Sequence, residues 1–318
     1  MNVVDWLLDS DPSIRWQVMR DLTDAPADEV AAERARVAGE GWGAQLLALQ
    51  RPDGSWAGGA NFPEWTGTKP TLVLLRLFGP DPGDPAVQRA VDLVRQHVRW
   101  EYDELPFFDG EVEPCINGAT VAIGDYFGQD VHRIVDRLLG EQMVDGGWNC
   151  EQERGSTRGS FDTTINVLEG LLEHERAIGA TDDTTAARRR GEAYLLDRSL
   201  FRRQATGEVI EPAYRVFFFP PRWHYDVLRA LDYFRDAGGA VDDRMTEALD
   251  LVEAKRQPDG RWLMEHEYPG DVHFPVDDGV GQPSRWNTLR ALRVLRWADG
   301  AGRSTAGSTA SASIQGRT

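Results

Sequence analysis

Cysteine is nearly absent: the 318 residues contain two, Cys115 and Cys150, which excludes a disulfide framework. Long apolar runs are missing as well. No stretch reaches the ~18 consecutive apolar residues of a membrane-spanning helix, so no membrane span is expected. The opening MNVVDWLLDSDPS has neither the basic nor the apolar region of a secretory signal, and the expected compartment is cytoplasmic. Basic charge is scarce: 35 Lys and Arg face 52 Asp and Glu, for a net charge of −17. The one basic triplet, Arg188 to Arg190, reads as a solvated helix face, so the sequence argues against nucleic-acid binding. Gly-rich phosphate loops, a Gly-x-Ser-x-Gly elbow and a His-Glu-x-x-His pair are absent, leaving nucleotide, serine-hydrolase and simple zinc-protease chemistry unsupported.

What remains is a globular composition, 41% apolar and 27% charged, with enough hydrophobic mass for one sizeable core. Residues 1–300 are expected to form a single domain. The stretch Ala301 to Thr318 is small and polar, cannot bury enough surface to offset its ordering entropy, and is expected to be a disordered low-complexity tail.

Three segments repeat one another: Gln50 to Trp56 (QRPDGSW), Gln142 to Trp148 (QMVDGGW) and Arg256 to Trp262 (RQPDGRW). Amphipathic helical runs precede the latter two, the clearest being Val131, Ile134, Val135, Leu138 and Leu139, spaced to form one buried stripe. The Asp-Gly pair suits a helix stop, because Gly tolerates the left-handed backbone and Asp bonds its own chain. The Trp two residues later is expected to cover the turn. A second pattern, of Ser or Pro beside an aromatic residue or Ile, places further helix starts near residues 16, 65, 116, 161, 223 and 286. The expectation is an all-α chain of about twelve helices in two alternating layers, arranged as an α/α toroid of about six helical hairpins around a central cavity. Arg290, Arg293 and Arg296 conflict with a buried last helix, and either expose that helix at a seam or break the layering there.

These segments resemble the Gln–Trp repeats of the prenyltransferase and squalene-cyclase family, in which Gln-x-x-Asp-Gly-x-Trp closes an outer helix. The resemblance implies the toroid and an apolar, isoprenoid-like small molecule in its cavity, handled by a terpenoid cyclase or a prenyl transferase. Where the cyclases carry Asp-x-Asp-Asp, this chain reads Ser160-Phe161-Asp162-Thr163-Thr164, keeping one acid. Asp162 is therefore either a buried general acid, acting with Asp109 and His224, or a first-turn aspartate favoured by the helix end. The zinc set of the protein prenyltransferases is similar to Glu113-Pro114-Cys115 with His224, so Zn²⁺ is an implied cofactor; the alternative is a small buried thiol and a cap-side histidine.

The remaining substrate-binding candidates are Trp65, Phe161, Trp223 and Trp286 as aromatic walls, Arg222 and Arg285 as anion ligands, and Asp226. Arg15 and Arg158 share the expected mouth with several carboxylates, so salt-bridged bracing competes with anion binding. The stretches Trp100 to Asp109 and Tyr214 to Pro221 are long for hairpin loops, where function concentrates. Two other functions stay open: a carbohydrate-active toroid with carboxylates about 5–10 Å apart, and a non-catalytic ring whose acidic rim meets a basic partner.

Overall fold

The computed structural model describes the backbone of residues 2–309 and the side chains of residues 2–300. The chain is 53% helical, with only two two-residue strands among the described residues, so the all-α expectation holds. The helices are α1 (Val3–Leu8), α2 (Pro12–Leu22), α3 (Ala27–Ala35), α4 (Gly41–Ala48), α5 (Thr68–Phe78), α6 (Pro85–His97) and α7 (Pro114–Tyr126). They continue with α8 (His132–Gly140), α9 (Phe161–Ile178), α10 (Asp182–Leu196), α11 (Val227–Asp236), α12 (Thr246–Ala254) and α13 (Arg285–Thr309). The expected tail from Ala301 thus begins inside α13, and its residues 310–318 lie outside the described residues.

Capping explains the boundaries. Asp11 and Asp84 accept from the backbone ahead of prolines at the first turn of α2 and α6, while Ser160 and Asp226 cap α9 and α11. Helices α7, α9 and α11 are buried over most of their surface, whereas α6 and α8 bury a single stripe, Val87, Ala90, Val91 and Val94 in the first case. The short α3 is an addition to the expected alternation and packs on α2.

The three repeats share the bonding of their tryptophans. Nε1 of Trp56, Trp148 and Trp262 each donates at 2.7 Å to a carbonyl in the preceding helix: Leu46, Leu138 and Val252. Each Trp backbone N–H donates to a threonine hydroxyl on the next long helix, Thr68, Thr164 or Thr288. All three indoles are fully buried. Gln50 and Gln142 donate to the repeat's own glycine carbonyl and also to Ala90 of α6 or Ala187 of α10, tying each helix end to the following hairpin. Gly54 and Gly146 have φ of +81° and +89°, and a Cβ on either would stand 2.6 Å from a carbonyl oxygen of that neighbouring helix, Leu93 or Arg190. Only glycine satisfies both the backbone and the approach. In the third repeat the guanidinium of Arg256 lies 4.7 Å over Trp262, and the neighbour is the chain's beginning: Arg261 lies over the Trp6 ring.

The arginine stripe of α13 resolves as a seam that is buried at Arg290 and nearly so at Arg293 and is exposed at Arg296. Arg293 donates to Asp232 of α11 and to Gln17 and Asp21 of α2, Arg290 stands 3.7 Å from Asp226, and Arg296 donates to the Asp21 carbonyl. Helix α13 therefore packs on both α11 and α2, bringing the last helix against one of the first.

Candidate functional site

A cavity of about 470 Å³ opens among the starts of α5, α7 and α9 and the loops before α5, before α9, before α11 and between α12 and α13. Its wall is largely apolar, with Trp65, Ile116, Phe218, Phe219, Trp223 and Phe274 among the lining side chains. Trp65 and Trp223 reach it for a local reason. Their helices begin later than the sequence pattern suggests, at Thr68 and Val227, so both indoles sit on loops. Phe161 and Trp286 lie inside the first turns of α9 and α13, and are buried there instead. Phe161 packs among Tyr194, Tyr214 and Tyr225, and Trp286 stacks on Phe219 at 4.2 Å; neither lines the cavity, a correction to their assignment as ligand walls.

Arg222 and Lys69 are the lysine and arginine side chains lining this space among the described residues. Arg222 holds its guanidinium 4.0 Å over the Trp65 ring and makes no ion pair among the described residues, and burial lowers its pKa to about 10. Its backbone takes φ of +55°, an uncommon state for a residue with a Cβ, of the kind stored at functional sites. Of the other arginines expected at the mouth, Arg285 packs over Trp6 and donates to its carbonyl, Arg15 pairs with Glu33, and Arg158 is exposed and does not line the cavity. Asp226 is likewise no ligand group. It is fully buried as the cap of α11 beneath Arg290.

Asp162 reaches the cavity wall, in the first turn of α9. Burial raises its pKa, partly offset by hydrogen bonds from Tyr225 and Tyr214 and by the Arg229 charge. One oxygen accepts the Tyr225 N–H at 2.7 Å and the other the Tyr214 hydroxyl at 3.3 Å, so the carboxylate braces the loop that presents Arg222 and Trp223. Asp109 does not join it. That residue ends a short 3-10 turn, is 42% exposed at its side chain and pairs with Arg133; of the Trp100 to Asp109 stretch, Trp100, Phe107 and Phe108 join the core, 101–104 are exposed, and none lines the cavity.

His224 also departs from its expected roles. Its ring is stacked between Trp223 and Tyr268, parallel to the latter at 3.6 Å, and burial followed by the Arg229 and Arg222 charges lowers its pKa to about 3. The imidazole is neutral aromatic packing. The donors that do converge are Glu113, Cys115 and Cys150, whose ligand atoms lie within 4.8 Å of one another. Glu113 and Cys115 flank Pro114 at the start of α7, and Cys150 follows the pinned Trp148 by two residues. Lys69, 8% exposed, faces the same wall, and burial lowers its pKa against the pull of both thiols and Glu113.

The loop between α12 and α13 contributes His266 and His273, which the sequence did not flag, and Asp277, one of the carboxylates expected at the mouth. It is held by β1 (Trp262–Leu263) paired to β2 (Pro283–Ser284), and by Trp65 Nε1 donating to the Pro269 carbonyl at 2.7 Å. It carries His266, His273 and Asp277 to the wall; Asp277 accepts from Ser284 and from the Arg285 N–H, and burial raises its pKa to about 6. The long loop was visible only as Gly, Asp and Pro content, with no periodicity to place it.

In comparisons with known proteins, no family model and no curated protein matches the chain. No helix among the described residues is long and apolar enough to cross a membrane.

Proposed function

We propose that the chain is an α/α toroid of the prenyltransferase and squalene-cyclase kind, and that its cavity takes an isoprenoid-like molecule with an apolar body and an anionic head. The toroid reading is supported by the packing of α13 on α2, by the tryptophan bonds that recur in all three repeats, and by the third repeat having the first helix as its neighbour. The observation that carries the ligand reading is Arg222: a cation on an aromatic plate with no direct ion pair among the described residues, in a cavity whose wall is mostly apolar but also carries Lys69 and carboxylates, Glu64 and Glu267 being those whose charge Arg222 feels. A desolvated guanidinium without a directly paired carboxylate is complementary to a phosphate or carboxylate, and the aromatic surface to a branched hydrocarbon. Asp162 serves as a positioning residue, holding the Arg222 loop through the Tyr225 N–H.

The test uses the indoles of Trp65 and Trp223 as reporters. Titration with an isoprenoid diphosphate is expected to change the tryptophan emission saturably, and the parent alcohol to bind more weakly. Arg222→Met should weaken diphosphate binding by about 10- to 100-fold, the worth of a charge-assisted hydrogen bond, and leave the alcohol nearly unaffected. Equal loss for both ligands, or none for either, contradicts the assignment.

A further inference from the structure

We propose that Glu113, Cys115 and Cys150 form a site for a soft divalent cation, zinc by the chemistry of its donors, set in the cavity wall. The donors come from two rigid places. Glu113 and Cys115 sit at the start of α7, fixed by Pro114, and Cys150 hangs from the turn that Trp148 locks through Leu138 and Thr164. The two sulfurs are 2.9 Å apart, and Glu113 Oε2 is 3.5 Å from the Cys115 sulfur; two thiolates on a tetrahedral zinc stand about 3.8 Å apart, so metal binding requires the sulfurs to part by about 1 Å.

Two thiolates and one carboxylate are a recognised zinc donor set, and thiolate selects against magnesium and calcium. Charge supports the same reading. Three anionic groups packed this closely repel one another unless protonated or bridged; a divalent ion reduces the sum to −1, and the nearby Lys69 ammonium brings it to zero. The Lys69 side chain makes no hydrogen bond or ion pair among the described residues and lines the same cavity wall, where the charges of both thiols and Glu113 act on it. A disulfide would engage both sulfurs but leave Glu113 and Lys69 without a role. Three protein ligands would leave the fourth position of a tetrahedral ion open, and all three line the cavity, so an ion they held would be within reach of its contents.

This donor set differs from the one the family resemblance implies, because Cys150 takes the place expected of His224. The inference goes beyond the ligand proposal, since metal content is read with no organic ligand present and either can fail alone.

Chain prepared with reductant and without added metal is expected to carry about one zinc. Cobalt exchanged into it should give a thiolate-to-metal absorption band in the near ultraviolet. Cys115→Ala and Cys150→Ser should each lower metal content by about tenfold or more, with circular dichroism unchanged, while His224→Ala keeps full content and the full band. Metal near zero with no cobalt band in the reduced wild-type chain overturns the site. Full retention by Cys150→Ser overturns it too, as does loss of metal in His224→Ala or conversion of the pair to a disulfide that takes up no metal once reduced.

Discussion

Trp148→Ala is expected to destabilise the chain by about 3–5 kcal/mol. The indole is fully buried, and its removal leaves a void that α8, α9 and α10 can fill only by moving. Gly191 of α10 has no side chain because the Trp148 ring occupies that space: a Cβ there would lie 2.8 Å from the ring. Two hydrogen bonds act at the same point. The Leu138 carbonyl at the end of α8 loses its Nε1 donor, and the turn that fixes the Trp N–H on Thr164 loses its anchor. Urea denaturation measures the cost, with Val144→Ala as the control, because Val144 belongs to the same turn and is fully exposed. Trp56→Ala and Trp262→Ala should behave alike, since their bonding is the same. A Trp148→Ala chain as stable as Val144→Ala would mean that the repeat is not what closes the helix pairs.

The second large effect is at the seam. Asp232→Ala is expected to cost about 3 kcal/mol, because it removes the shared anion of Arg293, Arg235 and Arg290 and leaves the buried Arg293 and Arg290 only their longer approaches to Asp21 and Asp226. Burial alone would raise the Asp232 pKa, but the charges of Arg293 and Arg235 outweigh it and hold the carboxyl far below the usual range. Asp21 of α2 shows the same balance: burial pulls up, and the Arg20 hydrogen bond and the Arg293 charge pull down further. Both folded-state values lie below the unfolded value near 3.9, so their stabilisation is fully present above about pH 4 and is lost as the pH falls through the folded-state values. Unfolding free energy followed downward from neutral pH should decline in the wild type below about pH 4, and decline less steeply in Asp232→Ala, which has one fewer group to protonate. An unchanged acid slope together with unchanged neutral stability would show that the seam contributes nothing.

Much of this architecture was legible in the residues, and the limits have physical causes. The Gln–Trp turns were readable because each position meets a local demand: left-handed Gly54 and Gly146, the Asp that bonds its own turn, the Trp that covers it. The arginine stripe of α13 was legible as a conflict but not as a solution, since Asp232, Asp21 and Gln17 lie far off in sequence. The site was read less well. Aromatic residues at equivalent helix starts gave the same signal whether their helix began at once, burying Phe161 and Trp286, or a few residues later, freeing Trp65 and Trp223 for the cavity. Cys150 escaped notice because its partners Cys115 and Glu113 lie 35 or more residues away, and only the Trp148 turn brings them together.

The central claim, a cavity that receives an apolar molecule headed by an anion, is tested most directly by a crystal structure of the chain grown with an isoprenoid diphosphate. The account predicts density for the hydrocarbon along Trp65, Phe218 and Trp223, with the diphosphate within hydrogen-bond distance of Arg222. A cavity filled only by solvent at saturating ligand, or the diphosphate bound on the outer surface away from Arg222, would contradict it.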